Sequence, residues 1–269
     1  MAIRCTGDGE GRAMALGESE LRRYARQIVL PEIGGIGQER LMAAGVLVIG
    51  AGGLGSPLLL YLAAAGIGRI GVVDFDRVDE SNLQRQIAFA SADQGCSKVE
   101  AVRRRIHALN PLVQIIGHDL RLDETNAAEL IGAYDIVADG CDDLATRLLV
   151  HDAAMAAGKP LVSGAVQGLD GQLTTYKAYL GPPHPCMRCL MDERPGDDVL
   201  PTCAQGGILG SAAGVIGSLQ ATEVIKELLG LEGLSGRMMH YDALSCDLMP
   251  MRLRRRQRCE GSCKLNETL

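Results

Sequence analysis

The sequence predicts an α/β fold with a doubly wound, mainly parallel sheet and a mixed, antiparallel C-terminal extension. Three observations lead there. Short β-branched runs alternate with helical segments as far as Ser163, the pattern of parallel strands joined by crossover helices. A glycine-rich turn links the first of these runs to the next helix. Beyond Ser163 the alternation stops, and longer, more polar strand patterns take over.

Residues 1–17 read as a loose arm. Helix is predicted over 18–30, where Leu21, Tyr24, Ala25 and Ile28 fall at helical spacing, and again near 38–44. The run 46–49 is apolar and β-branched, as expected of a strand covered on both faces. Residues 56–65 follow as a helix with Ser56 as its cap and Pro57 at its first position. A strand over 70–73 ends at Asp74. Helix 98–109, strand 113–117, helix 123–131 opened by a capping Asp123, strand 135–138, helix 144–157 and strand 161–163 continue the alternation. Residues 172–180 (QLTTYKAYL) read as an antiparallel strand. A small-residue helix over 208–229 and strands at 237–242 and 248–253 complete the chain. No linker interrupts 18–269, so a single domain is expected there; the order of its strands is not legible.

Composition bounds the function. Hydrophobic residues make up 47% of the chain, enough for a substantial core. Aromatics are 3% with no Trp, so that core must be aliphatic. The formal net charge of −6 argues against non-specific nucleic-acid binding, which depends on phosphate neutralisation by Lys and Arg. The N-terminus carries an acidic, Gly-rich segment (7–10) instead of the basic and apolar regions of a signal peptide. The longest apolar stretch, 206–219, is short of the ~20 residues that span a bilayer. A cytoplasmic protein without a membrane partner is expected. In that compartment its nine cysteines serve as metal ligands, catalytic thiols or core residues before they serve as disulfides.

Gly50, Gly52 and Gly55 fit G-x-G-x-x-G between a predicted strand and helix, with Gly53 inside the turn. Such a turn lets backbone approach phosphates and aims free N–H groups at them. Asp74 closes the next strand, where a carboxylate can accept ribose hydroxyl hydrogen bonds. The fingerprint leaves NAD and ATP both open. Arg85, central in the polar segment 82–86, and Lys98 favour ATP, because a triphosphate needs more cationic neutralisation and Arg matches phosphate geometry. Asp142 and Asp143 follow another strand, where one carboxylate can hold Mg²⁺ and the other can cap the next helix. Cys186 and Cys189 (C-x-x-C) with Cys259 and Cys263 (C-x-x-x-C) have the pairing of a closed, structural four-cysteine zinc knuckle. A redox C-x-x-C is the alternative. Cys5, Cys96, Cys141 and Cys246 have no paired spacing and read as structural; no histidine has a metal-ligand spacing. Part of the basic stretch 252–258 reads as the solvated face of a strand.

Taken together, RYARQ (23–27), GAGGLGSP (50–57), DFDRVDESNLQRQ (74–86), GCSKVE (95–100), PLVSGAVQGLDGQLT (160–174), CMRC (186–189) and GVIGSLQATEVIK (214–226) form a specific set. The chain resembles the MoeB/ThiF/HesA family, relatives of ubiquitin-activating enzymes, over about 21–263. The resemblance implies a Rossmann-like sheet, with a nucleotide-binding part near 45–165 and a carrier-binding and zinc-binding part near 166–269. It implies adenylation, with ATP and Mg²⁺, of the C-terminal carboxylate of a small ubiquitin-like sulfur-carrier protein ending in Gly-Gly. Asp74 would hold the ribose, and Gly53 would lie in the nucleotide loop. Asn82, Arg85 and Lys98 would meet the phosphates, and Asp142 would bind Mg²⁺. Arg26 would reach the ATP of a neighbouring subunit, which implies a homodimer. The four paired cysteines would hold Zn²⁺. Cys203 aligns with a thiol that some relatives link covalently to the carrier. Asp143 departs from the Asn the family pattern expects.

The C-terminal third looks closer to the molybdopterin-synthase-activating branch, with the thiamin-thiazole carrier as the alternative. No sulfurtransferase-like extension is expected after Cys263, so a separate sulfur donor is implied. Two readings from other classes stay open: an NAD-dependent oxidoreductase and a non-catalytic nucleotide-binding scaffold.

Overall fold

Val46, Leu47 and Val48 are fully buried, as are Ile70, Val72, Val137 and Ala138, so the first strands are covered on both faces. The structure, a computed structural model, describes residues 16–190, 207–256, 259 and 263. Its elements run α1 (Glu18–Ile28), α2 (Gly34–Ala43), β1 (Gly45–Ile49), α3 (Gly55–Ala65), β2 (Arg69–Val73) and α4 (Lys98–Leu109). β3 (Gln114–His118), α5 (Ala127–Gly132), β4 (Ile136–Asp139), α6 (Leu144–Ala156) and β5 (Leu161–Gln167) follow. β6 (Asp170–Tyr176), α7 (Gly210–Leu229), β7 (Arg237–Asp242) and β8 (Asp247–Arg252) complete it.

All eight strands form one sheet in the order β3-β2-β1-β4-β5-β6-β7-β8. Pairings from β3 across to β5 are parallel, and those from β5 to β8 antiparallel. Side chains alternate across the sheet. Val46, Val48, Ile70 and Val72 therefore join one core with Leu58, Leu59 and Leu62 of α3 and Val224 of α7. Leu47, Ile49, Val137 and Leu161 join the opposite core with Ile131 of α5 and Val150 of α6. Burying each such aliphatic side chain contributes about 1.5–3 kcal/mol. β1 lies between β2 and β4, so the strand order reverses there. In open α/β sheets that switch point opens a crevice at the strands' carboxyl ends, where ligands bind.

Several boundaries differ from expectation. Ser56 does not cap α3: the helix starts at Gly55 with Leu54 before it, and the Ser56 N–H already donates to Gly52 O at 2.9 Å. Asp123 organises a turn instead of opening a helix, its Oδ1 accepting from the Thr125 N–H (2.8 Å) and hydroxyl (2.6 Å), and α5 begins only at Ala127. α2 starts four residues early, at Gly34. β6 stops at Tyr176 and gives way to a tight turn at Ala178–Leu180. Residues 1–15 of the predicted arm lie outside the described residues.

Candidate active site

The glycine turn sits at the switch point. Gly50 has φ +89°, and its N–H donates to Val73 O (2.8 Å), which turns the chain out of β1 toward β2. A Cβ on Gly55 would overlap the Gly50 carbonyl oxygen, so α3 starts pressed directly on the end of β1. At Gly52 the nearest atom to such a Cβ, Gln86 Nε2, is 3.8 Å away, so the turn is open where a ligand would approach. The Asp74 carboxylate accepts from the Ala51 N–H (2.7 Å) and the Asp76 N–H (2.9 Å). Burial pushes its carboxyl above the ordinary value, against the pull of the Lys98 charge and those two N–H groups.

The cations stand on the far side of the turn. Arg85 lays its stem across the loop, with Cγ and Cδ 3.2 and 3.3 Å from where a Gly53 Cβ would sit. Its Nη1 donates to Ser81 O (3.2 Å), and the Arg85 N–H donates to Asn82 O (3.1 Å). Lys98 opens α4, is 5% exposed, and donates from Nζ to Asp76 Oδ2 at 2.8 Å. The structure thus brings Gly50, Gly52, Gly53, Gly55, Asp74, Asn82, Arg85 and Lys98 to one end of the sheet, with Asp76 as a partner the sequence did not single out.

After β4, Asp143 caps α6 by accepting from the Thr146 N–H (2.8 Å) and hydroxyl (2.7 Å), and the hydroxyl holds its carboxyl below the usual value. Asp142 is exposed and has no hydrogen-bond partner among the described residues. Asp139 is wholly buried, beside Arg147 and Ser163, and none of these three had been singled out as a site residue. Arg147 stands four residues past the cap, facing the strand ends, and Ser163 pairs with Asp139 in the β4–β5 register. The half-buried Cys141 Sγ lies 3.8 Å from Ile49 O, and burial pushes its thiol well up.

Beside the core that α6 covers, the four paired cysteines converge. Cys186 Sγ lies 3.7 Å from Cys189 Sγ and 3.4 Å from Cys259 Sγ, and Cys189 Sγ lies 3.5 Å from Cys263 Sγ. All four sulfurs fall within 4.8 Å of one another and all are buried. A tetrahedron with Zn–S bonds of about 2.3 Å has sulfurs about 3.8 Å apart, so this donor set fits zinc. Burial pushes the Cys186 thiol up to about 11. His151 of α6, itself wholly buried, accepts from the Met187 N–H at Nε2 (3.0 Å). Arg188 pairs with Asp152 at 2.6 Å, so α6 carries the knuckle on two adjacent residues.

Arg26 is exposed on α1, without a partner among the described residues. The helix that presents it is pinned from below. Asn110 Nδ2 donates to the Tyr24 hydroxyl (2.9 Å), and Gln27 Nε2 donates to Gln38 Oε1 (2.7 Å). Cys203 and Cys5 lie outside the described residues. Cys96 is half-buried, and Cys246 is exposed in the β7–β8 turn with φ 62°. No described helix is long and apolar enough to cross a membrane.

A protein-family profile, the ThiF family, matches residues 24–263. The chain belongs to the ThiF family. It is 46% identical over 245 residues to a sulfur carrier protein adenylyltransferase of Thermus thermophilus, covering 90% of each chain. It is 47% identical over 248 residues to the probable adenylyltransferase/sulfurtransferase MoeZ of Mycobacterium tuberculosis, covering 90% of this chain and 62% of that one. Against the adenylyltransferase and sulfurtransferase MOCS3 of Aedes aegypti it is 45% identical over 255 residues, covering 94% of this chain and 58% of the relative. The chain therefore spans less than two thirds of the MoeZ and MOCS3 proteins. Among solved structures, E. coli MccB with ATP shares the fold, with a TM-score of 0.77 at 20% identity, over 90% of this chain and 74% of that one. This ThiF-family chain thus carries the α/β architecture expected from its sequence.

Proposed function

We propose that the chain uses ATP to adenylate the C-terminal glycine carboxylate of a small ubiquitin-like sulfur-carrier protein ending in Gly-Gly. The observation that carries this reading is the 46% identity, over 90% of both chains, to a protein named for that activity. The crevice geometry agrees with it. The open turn at Gly52 and the α3 N-terminus would receive the phosphates, and the Asp74 carboxylate would receive the ribose.

The carrier carboxylate is ionised near neutral pH and needs no general base. One of its oxygens forms a bond to the α-phosphorus while the bond to the bridging oxygen breaks, and pyrophosphate leaves with the electron pair. Asn82 helps to orient the phosphates, and Arg85 and Lys98 orient them and neutralise the charge that develops on them. Asp142, exposed and unpartnered beside the turn, suits Mg²⁺, which takes one or two carboxylates and keeps several waters. Held by Asp142, Mg²⁺ would supply further charge neutralisation to the phosphates. Arg26, held outward on a pinned helix, completes the site of a second copy, so the working unit is a homodimer. The four cysteines, as thiolates, would hold a structural Zn²⁺. Sulfur comes from a separate donor, and the carrier is that of molybdopterin synthesis.

The test is carrier-dependent ATP–pyrophosphate exchange over a panel of Gly-Gly carriers. Exchange is expected with the molybdopterin carrier, and exchange only with the thiazole carrier would move the chain to the other branch. Binding of NAD(H) without ATP would overturn adenylation altogether. Cys203→Ala is expected to leave exchange intact, because adenylate formation requires no thiol.

A further inference from the structure

We infer that Asp139, with Arg147 and Ser163, is the positioning group for Asp142, a buried clamp that fixes the metal-binding carboxylate without touching substrate. The inference rests on the reading of Asp142 as the Mg²⁺ ligand. Asp139 is wholly buried, and both carboxylate oxygens and its backbone carbonyl accept hydrogen bonds. Oδ1 accepts from the Cys141 N–H (2.9 Å). Oδ2 accepts from the Ser163 hydroxyl (3.0 Å) and from Arg147 Nε (3.3 Å), while Arg147 Nη2 donates to Ser163 Oγ (2.9 Å). Its backbone carbonyl accepts from Gln220 Nε2 (2.7 Å), which also donates to Val162 O (3.0 Å) and ties the β4 end to α7.

An ion pair with one wholly buried end and a partner only 22% exposed contributes little to stability. Desolvation costs several kcal/mol per ion, and apolar replacements of similar volume are often no less stable. What it does accomplish is local. Asp142 is preceded by Cys141, whose N–H is held by Asp139, and followed by Asp143, whose side chain and carbonyl are fixed at the start of α6. An exposed, unpartnered carboxylate is thereby held on both sides by buried or capped neighbours. Groups that orient metal ligands from behind typically change metal affinity or activity by about 10–100-fold when removed.

The experiment measures binding of the non-hydrolysable analogue α,β-methylene ATP to the full chain by calorimetry, with saturating Mg²⁺ and with chelator. The readout is the Mg²⁺-dependent gain in affinity. In Asp142→Asn the gain is expected to vanish. In Asp139→Asn it is expected to fall about tenfold, with the metal-free affinity within about twofold of the parent. Ser163→Ala, which removes one of the two side-chain donors to Oδ2, is expected to lose about threefold, and it carries the test if Asp139→Asn does not fold. Val150→Ala, a core substitution in α6, lowers the melting temperature and is expected to leave the gain unchanged. A gain abolished in Asp142→Asn but intact in the Asp139 and Ser163 variants overturns the clamp. A gain intact in Asp142→Asn overturns the Mg²⁺ assignment instead.

Discussion

At the carboxyl ends of β1 and β2 geometry is set by backbone packed on backbone, whereas beside α6 it is set by four thiols drawn from segments some 70 residues apart in sequence. The glycine turn draws its shape from contacts close in the chain: Gly55 sits against the Gly50 carbonyl, and the Asp74 carboxylate takes the Ala51 N–H. The knuckle has the reverse character. Its four sulfurs lie within 4.8 Å of one another, so with zinc bound its shape would depend on that ion. The two regions meet at α6, capped by Asp143 at the crevice end and tied through His151 and Asp152 to the knuckle.

The largest effect should come from the thiols. Structural zinc contributes about 10–16 kcal/mol of apparent binding energy in small zinc domains, comparable to the whole stability of an ordinary domain. Purified protein is expected to carry one zinc per chain, and Cys186→Ala is expected to lose it. The melting temperature should fall by about 10 °C or more, read by scanning calorimetry beside metal analysis. A variant that melts like the parent would erase the contrast between the two regions.

Next comes the turn. Gly55→Ala forces a methyl onto a backbone oxygen that cannot swing aside, and overpacking of that kind costs about 1–3 kcal/mol. The accompanying shift of the loop is expected to reduce ATP–pyrophosphate exchange about a hundredfold. Gly52→Ala has 3.8 Å of clearance and is expected to fold with the parent's melting temperature. Equal destabilisation by the two substitutions would mean that backbone contact does not shape the turn.

A smaller effect probes the joint. His151→Phe leaves the buried Met187 N–H without its acceptor, at a cost of about 1–3 kcal/mol. Zinc should then be released at lower chelator concentration while the affinity for ATP stays put. A parallel loss of ATP affinity would show that α6 transmits disorder from the knuckle to the crevice.

The same contrast explains what was legible in the sequence. The alternation through Ser163, the glycine turn, Asp74 and the two cysteine pairs were all visible, because each is a local pattern with a fixed spacing. The antiparallel character of β6 was visible too, since its polar alternation differs from the apolar runs before it. Asp139 was not singled out. Nothing within its own segment distinguishes it from Asp142, and its burial is decided by Ser163, 24 residues on, and Gln220, 81 residues on. Ser56 misled for the opposite reason: the local signal of a cap was present, but the contact between Gly55 and the Gly50 carbonyl started the helix earlier.

Asp76 sharpens the comparison from within the crevice. Its carboxylate holds the nearly buried Lys98 ammonium at 2.8 Å, and its own side chain is 51% exposed. A carboxylate in that place steadies the lysine but also opposes the negative phosphates that the lysine is read to meet. Replacing it by Asn keeps an acceptor for Lys98 and removes the charge. Asp76 is half-exposed but Lys98 is nearly buried, so weakening the ammonium's charged hydrogen bond should cost about 1–3 kcal/mol. ATP binding is expected to tighten about two- to fivefold at low salt, and the gain should shrink as ionic strength rises and screens the exposed charge. A titration of ATP at two salt concentrations reads both. Weaker binding by Asp76→Asn would show instead that the carboxylate is needed to aim Lys98. The crevice would then depend, as the knuckle does, on a side-chain partner as well as on its backbone.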